Sequence, residues 1–399
     1  MEKKLHFAKV QAFKTELVSY REKASGDYIK SGDDNLFPQH LIELYNRSSV
    51  HGAATKAITE AIIGGGLTAD HEHYLDKANT KQETWNNIFE KVAVDYKLHG
   101  AFALEIIWSL DRSRIAEVYH LDFSLVRAGE KDHRGYIPGY YIANEWKTYT
   151  KATDDNVHFL PTFNPALKQE QPNQIYISHK YTPGQSYYPL PDYNGALKVI
   201  ELDTEIDNFH VNNIKNGLAP SLAITTYMNG APDDVKAVER LLRENYGGTD
   251  NAGSLIYMDV DSPENAPTIT PIQQNGADTY YTTINDMTVQ KILTAHRITS
   301  PMILGIKTEG QLGGRTEIID SYLLLQNTVI APMQQKILGC LEYILGFNYP
   351  DIVLGVETKQ LFDDGTVEEE VITSVETTDE EHNDINEETN DNDILNIGN

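Results

Sequence analysis

The chain is expected to adopt an α+β fold, on three observations. Apolar spacing is helical in the first quarter, then gives way to short aromatic and β-branched runs separated by turns. Helical spacing then returns in two long segments that flank a compact strand-helix-strand unit. With 399 residues, 40% hydrophobic and 23% charged, the chain can bury a sizeable core and divides into two or three units.

In order, helices are expected over Pro38 to Tyr45, Ser49 to Ile63 and Thr84 to Leu98. In the last of these Trp85, Ile88, Phe89, Val92 and Tyr96 line one face. Ala101 to Trp108, Ile115 to Leu121, Gly139 to Ala143, Val157 to Pro161 and Gln174 to His179 read as strands.

Pro189, Pro191 and Asn194-Gly195 then block any helix before Ala196. From there about six turns run uninterrupted. Asn216-Gly217 supplies a left-handed stop and Pro220 forbids continuation. In helical projection Lys198, Glu201, Thr204, Glu205, Asn208, Asn212 and Lys215 share one polar arc. Leu202, Ile206, Phe209 and Val199 form one apolar stripe, and Ile200, Val211 and Ile214 a second, with Asp203 and Asp207 between them. Two stripes beside a wet face suit a helix with a neighbour on each side, although the pattern alone also fits a core helix.

Beyond it, Ser221 to Tyr227 reads as a strand, Asp233 to Tyr246 as a helix and Ser254 to Asp259 as a second strand. A second long helix runs from about Thr279 to Ile298. Lys291, His296 and Arg297 suit the negative end of its dipole. His296 reads as a cap or surface partner rather than a catalytic base, because no Asp or nucleophile accompanies it in sequence. Ser300-Pro301 breaks that helix, and residues 302–316 form a Gly-rich loop. The phrase G-x-x-x-x-G-K-[ST] is absent, so nucleotide hydrolysis has no support. A helix from Glu317 to Leu345 is expected to kink at Pro332, and Ile352 to Lys359 forms a final strand returning to the first half.

Several phrases in order carry a resemblance. They are P-x-Y-N-G-A-L from Pro191, N-N-x-x-N-G-x-x-P-S from Asn212, Tyr246-Gly247-Gly248 with Asn251-Ala252-Gly253, and His296 to Pro301 with Ile303-Leu304-Gly305. Over roughly Asp34 to Gln360 the chain resembles the portal proteins of tailed bacteriophages. The resemblance implies a non-enzymatic subunit, without cofactor, of a ring commonly of twelve copies at one capsid vertex. Double-stranded DNA passes through such a ring during packaging and ejection. The implied plan is an α/β wing (1–194), a first stem helix (195–217), an inserted clip (218–275), a second stem helix (276–299), a channel loop (300–316), a C-terminal wing or crown helix and strand (317–361), and an acidic tail (362–399). The implied partners are further copies of the chain, the major capsid protein, the terminase large subunit, neck or adaptor proteins and transiently bound DNA. The implied location is the virion, after assembly in the host cytoplasm.

The resemblance also suggests roles for side chains. Lys198, Glu201, Glu205, Asn208, Asn212 and Lys215 become candidates for the channel lining, and Lys307, Gln311 and Arg315 for sparse phosphate contacts from the loop. Charge agrees with a conduit. The net charge is −26, and the 14 acidic residues after Leu361, without one Lys or Arg, leave −12 for the rest. An acid excess repels a duplex on average, which defeats a tight reader of DNA and suits a wall along which DNA slides. The tail, poor in aromatics, reads as disordered.

Other chemistry is thinly represented. The single Cys340 lies on an apolar helix and reads as a buried small side chain, and it rules out an internal disulfide. His71-Glu72-His73 lacks H-E-x-x-H spacing, so no metal site is expected. Asp33-Asp34 and Asp154-Asp155 read as turns. No segment has the length of a membrane span and the N-terminus has no uninterrupted apolar signal core, so no membrane partner is expected. The 23 tyrosines raise one alternative, a carbohydrate-binding or carbohydrate-hydrolysing protein with a Tyr-rich cleft, though no acid and nucleophile can be named for it.

Overall fold

The computed structural model describes residues 20–149, 152–216, 222–226, 255–259, 277–305 and 315–359. Of residues 209, 212–216, 222–226, 255–259, 277–281 and 315 it describes only the backbone.

The chain enters through a small hairpin, β1 (Glu22–Ala24) and β2 (Ile29–Ser31), and continues into helices α1 (Phe37–Arg47) and α2 (Ser49–Ile63). Strand β3 (Leu67–Ala69) leads to α3 (Trp85–His99). Thr84 opens α3 with a capping box shared with Asn87, and Gly100 closes it in the left-handed region at φ 76°. Only glycine suits that turn, because a Cβ there would also stand 3.1 Å from the Leu190 carbonyl oxygen.

The turn delivers β4 (Ala101–Trp108) to the centre of an antiparallel sheet between β5 (Ile115–Leu121) and β9 (Asn173–His179). A second antiparallel sheet holds β6 (Val126–Ala128), β7 (Gly139–Ile142) and β8 (His158–Pro161). The aromatic and β-branched runs are therefore strands, as expected. The three-residue strands β1, β2, β3 and β6 are too short to impose a period.

A 3-10 turn at Asn194–Ala196 starts the long helix α4 (Leu197–Asn216). Strands β10 (Leu222–Thr226) and β11 (Leu255–Asp259) pair in parallel, a geometry that demands a crossover between them. The helix expected over Asp233 to Tyr246 lies outside the described residues. The second long helix, α5 (Ala277–Ala295), comes next. Helix α6 (Arg315–Leu325) passes through a π-helical turn, Gln326–Ile330, into α7 (Ala331–Leu345). The irregularity expected at Pro332 thus takes the form of a π turn just before it, with the proline in the first turn of α7 where its missing N–H is tolerated. Strand β12 (Leu354–Val356) returns to pair antiparallel with β3.

The main core lies between α2, α3, β4, β5 and α7, around Ile58, Ile88, Phe89, Phe102, Leu104, Ile337 and Leu341. Cys340 is buried there with Sγ 3.2 Å from Ser178 Oγ, the inert role expected of it. Asp34 and Asp154 sit in turns, Asp34 Oδ1 accepting from the Leu36 N–H and the Asp154 carbonyl from the Val157 N–H. No helix among the described residues is long and apolar enough to cross a membrane.

Candidate functional site

The two long helices are rooted side by side in one satellite core. Phe37, Leu41 and Leu44 of α1 meet Leu98, Tyr193, Ala196, Ile200 and Ile292 there. Tyr193, fully buried at the entry to α4, donates its hydroxyl to the Leu98 carbonyl at 2.7 Å. Its ring stacks on His296 at 5.1 Å between centroids and leans on His51 at 4.5 Å. His51 Nδ1 and His296 Nε2 share one hydrogen bond of 2.9 Å, so α2 grips the end of α5 through an imidazole pair.

Burial, with the Lys97 ammonium second, lowers His51 to about 4. Burial, Lys97 and His51 together hold His296 well below the ordinary histidine value. Both rings are therefore neutral near neutral pH. His296 was expected as a cap or surface partner, and the surface placement is corrected: it is fully buried. It stands four residues after Ile292 and three after Leu293, so the helical period carries it to the buried face.

Beside this pair Lys97, its side chain wholly buried, makes a two-pronged ion pair with Asp192 at 2.8 and 2.9 Å. Ser48 caps α2 by accepting from the His51 N–H, and donates its hydroxyl to Asp203 Oδ2 at 2.7 Å. Burial raises the Asp203 carboxyl above the usual range. Arg297 takes the left-handed conformation at φ 59°, and the Ile298 N–H reaches back to the Leu293 carbonyl while its own N–H reaches Thr294. That is a Schellman closure made without glycine. Its guanidinium Nη1 lies 3.3 Å from the Thr328 carbonyl oxygen. Pro332, four residues on, cannot donate to that carbonyl, and the Arg297 contact ties the end of α5 to the π turn.

The outward residues of α4 are more varied than the projected arc. Lys198 and Glu205 are exposed and Asn208 half-buried. Glu201 is also half-buried and turns toward the body, 3.1 Å from His40 Nε2, and Thr204 is buried. Both depart from the expected wet face because α1 and α2 pack against the first turns of the helix. Asn212 and Lys215 lie where only the backbone is described, Lys307 and Gln311 lie outside the described residues, and Arg315 is the first residue of α6 with its side chain undescribed. Three apolar side chains on the long helices stand uncovered: Leu202 at 43%, Val211 at 47% and Met287 at 51% exposure.

The remaining sequence candidates separate cleanly. His71 and His73 are exposed on a short 3-10 turn. Tyr193 and Tyr188 spend their hydroxyls inside the fold, Tyr188 on the Ile29 carbonyl and the Ala128 N–H. Tyrosines consumed in this way line no sugar cleft.

A protein-family model described as phage portal protein matches residues 67–365. The chain belongs to the phage portal protein family. That family is structural and not enzymatic, so the sugar-hydrolysing alternative is set aside. Among solved structures, a chain of the virion of a native gene transfer agent particle aligns with a TM-score of 0.54 at 16% identity, over 81% of this chain and 84% of that one. A chain from the neck of a native gene transfer agent particle, computed with C12 symmetry, aligns with a TM-score of 0.53 at 15% identity, over 86% and 87%. One from the neck of an empty particle, computed with C6 symmetry, gives 0.54 at 15%, over 81% and 85%. At such identities the likeness is one of fold. No curated protein sequence matches the chain.

Proposed function

We propose that this portal-family chain forms a closed ring at a capsid vertex, through which double-stranded DNA is driven by a separate motor during packaging and released at ejection. The observation that carries the reading is the pair of long helices, rooted together in the body and bearing apolar side chains that the single chain leaves uncovered. Half-exposed apolar side chains on two helices that run side by side offer a partner a surface to cover. Neighbouring copies of the same helices supply one, and rotation of a heterologous contact closes into a ring. The fold's likeness to necks computed with twelvefold and sixfold symmetry supports that arrangement.

On this reading α4 and α5 are the stem, residues 218–275 a clip that docks the terminase large subunit and then the neck proteins, and the helical body the wing and crown that meet the major capsid protein. Lys198, Glu205 and Asn208, with Asn212 and Lys215 further along, face the duct, while Glu201 belongs to the rooting contacts. The loop around Lys307, Gln311 and Arg315 makes the sparse phosphate contacts. The acidic balance keeps DNA from adhering to the wall. The ring assembles in the host cytoplasm and ends in the virion.

Negative-stain electron microscopy of the purified chain tests this directly. Annular particles seen down a rotational axis, in a preparation that hydrolyses no ATP, are expected. A protein that stays monomeric at high concentration overturns the reading.

A further inference from the structure

We propose that Asp95, His99 and Asp122 form a binding site for a first-row divalent metal ion, of the Zn2+ or Mn2+ kind, tying the end of α3 to the end of β5. Asp95 and His99 stand four residues apart on α3, so both project from one face of the helix. Asp122 arrives from the turn after β5, and ligand atoms of the three residues lie within 4.8 Å of one another. Around a tetrahedral ion bound at about 2.1 Å, ligand atoms are roughly 3.4 Å apart.

Two independent features point to a ligand. His99 is only 2% exposed, yet neither of its ring nitrogens has a hydrogen-bond partner in the protein. Buried imidazoles normally pair both nitrogens or ligate, so one aimed at two carboxylates and otherwise orphaned has the arrangement of a metal ligand. The second feature is the support behind Asp95. Its Oδ2 accepts from His120 Nε2 at 2.8 Å and from the Phe123 N–H at 3.0 Å. Both bonds fix the carboxylate in place, as the outer partners of metal-binding carboxylates do.

Donor chemistry selects the ion. An imidazole nitrogen with two carboxylates favours borderline first-row cations over Mg2+ or Ca2+, which prefer oxygen alone. Asp122 is exposed, so the ion enters from solvent and water completes its shell. The remaining oxygen chemistry of Asp122 is compatible with this, because its Oδ1 caps the following turn by accepting from the Ser124 N–H at 2.8 Å.

The test uses the full chain, stripped with chelator and titrated with Zn2+ by calorimetry, with thermal melting in parallel. One stoichiometric site and a rise in melting temperature are expected, with no comparable rise from Mg2+. Asp122→Asn, which retains the cap because Asn caps as well as Asp, should weaken that site by about tenfold or more and abolish the thermal rise. His99→Leu should do the same while melting no lower than the metal-free parent. Absence of a stoichiometric site in the parent, or Zn2+ binding and melting unchanged in both variants, overturns the proposal.

Discussion

Acidification should loosen the root of the long helices, and the size of the effect follows from the buried imidazole pair. His51 titrates at about 4 in the fold against 6.5 ordinarily. Between those values the unfolded chain binds a proton that the fold refuses, so stability is fully present above the unfolded value and drains away as pH falls toward the folded one. From about pH 7 to about pH 5 the linkage integral for His51 alone comes to about 2 kcal/mol, and His296, shifted in the same direction, adds to it. Burial fixes the sign, and the groups facing the pair do not reverse it: Lys97 opposes protonation, Asp192 favours it less strongly, and Tyr193 contributes a neutral ring. Urea unfolding at fixed protein concentration, followed by tryptophan fluorescence, reports the loss, since Trp85, Trp108 and Trp146 are all buried. Carboxylates elsewhere titrate over the same range, so the informative quantity is the difference from a double variant, His51→Leu with His296→Leu. Replacing both partners by apolar groups leaves no orphaned nitrogen. The double variant should show a pH dependence shallower by at least about 2 kcal/mol. Parallel curves for parent and variant would refute the reasoning, because they would mean that neither imidazole is held neutral by the fold.

Three further outcomes are expected. Asp192→Ala strands the buried Lys97 ammonium and should cost about 3–5 kcal/mol in the same unfolding assay, whereas a loss under about 1 kcal/mol would show that Lys97 reaches water. Leu202→Glu combined with Met287→Glu places charge on the half-exposed faces of α4 and α5, and should abolish annular particles while leaving the monomer's melting temperature within a few degrees of the parent. Charge reversal at Lys307 and Arg315 should leave ring assembly intact and reduce DNA packaging, and loss of the ring instead would assign both residues a structural role.

Much of the frame was legible because it is written in local chemistry. Pro189, Pro191 and Asn194-Gly195 mark where α4 can begin, and the uninterrupted run after them leaves a helix as the economical choice. The same holds for β4 and β9, whose aromatic and β-branched runs have the length of buried strands. The rooting contacts were not legible because they join residues far apart in sequence: 245 positions separate His51 from His296, 155 separate Ser48 from Asp203 and 95 separate Lys97 from Asp192. A signal existed all the same. His51 lies on the line of Ala54, Ile58 and Ile62, and His296 on the line of Ile292, so a polar residue on an apolar stripe was visible twice. Two such residues of one kind invite pairing, since a buried imidazole must find a partner. For Glu201 and Thr204 the projection was sound, but it could not say that α1 and α2 accompany the first turns of α4.

That limit bears directly on what the helices are for. Ile200 and Val211 are separated by only about 20° in helical projection, so nothing in the helix itself distinguishes their faces. Ile200 is nevertheless fully buried while Val211 is 47% exposed. The difference lies in what stands beside them: Ile206 is the last buried residue among the described side chains of α4. On α5 the mirror of this occurs, with residues 282–287 holding no buried side chain and burial beginning at Thr288. A single chain thus invests a buried ion pair, an imidazole pair and a Ser-Asp bond in holding two helices whose described side chains are not buried after Ile206 on α4 or before Thr288 on α5. Firm roots and uncovered shafts make sense together when the covering is done by another copy, because a ring transmits load through such helices only if each is fixed at its base. Solvent exchange of backbone amides separates the alternatives: in the assembled ring the far turns of α4 should be protected nearly as well as the root, and if they exchange as freely as in the monomer, the shafts are not where subunits meet.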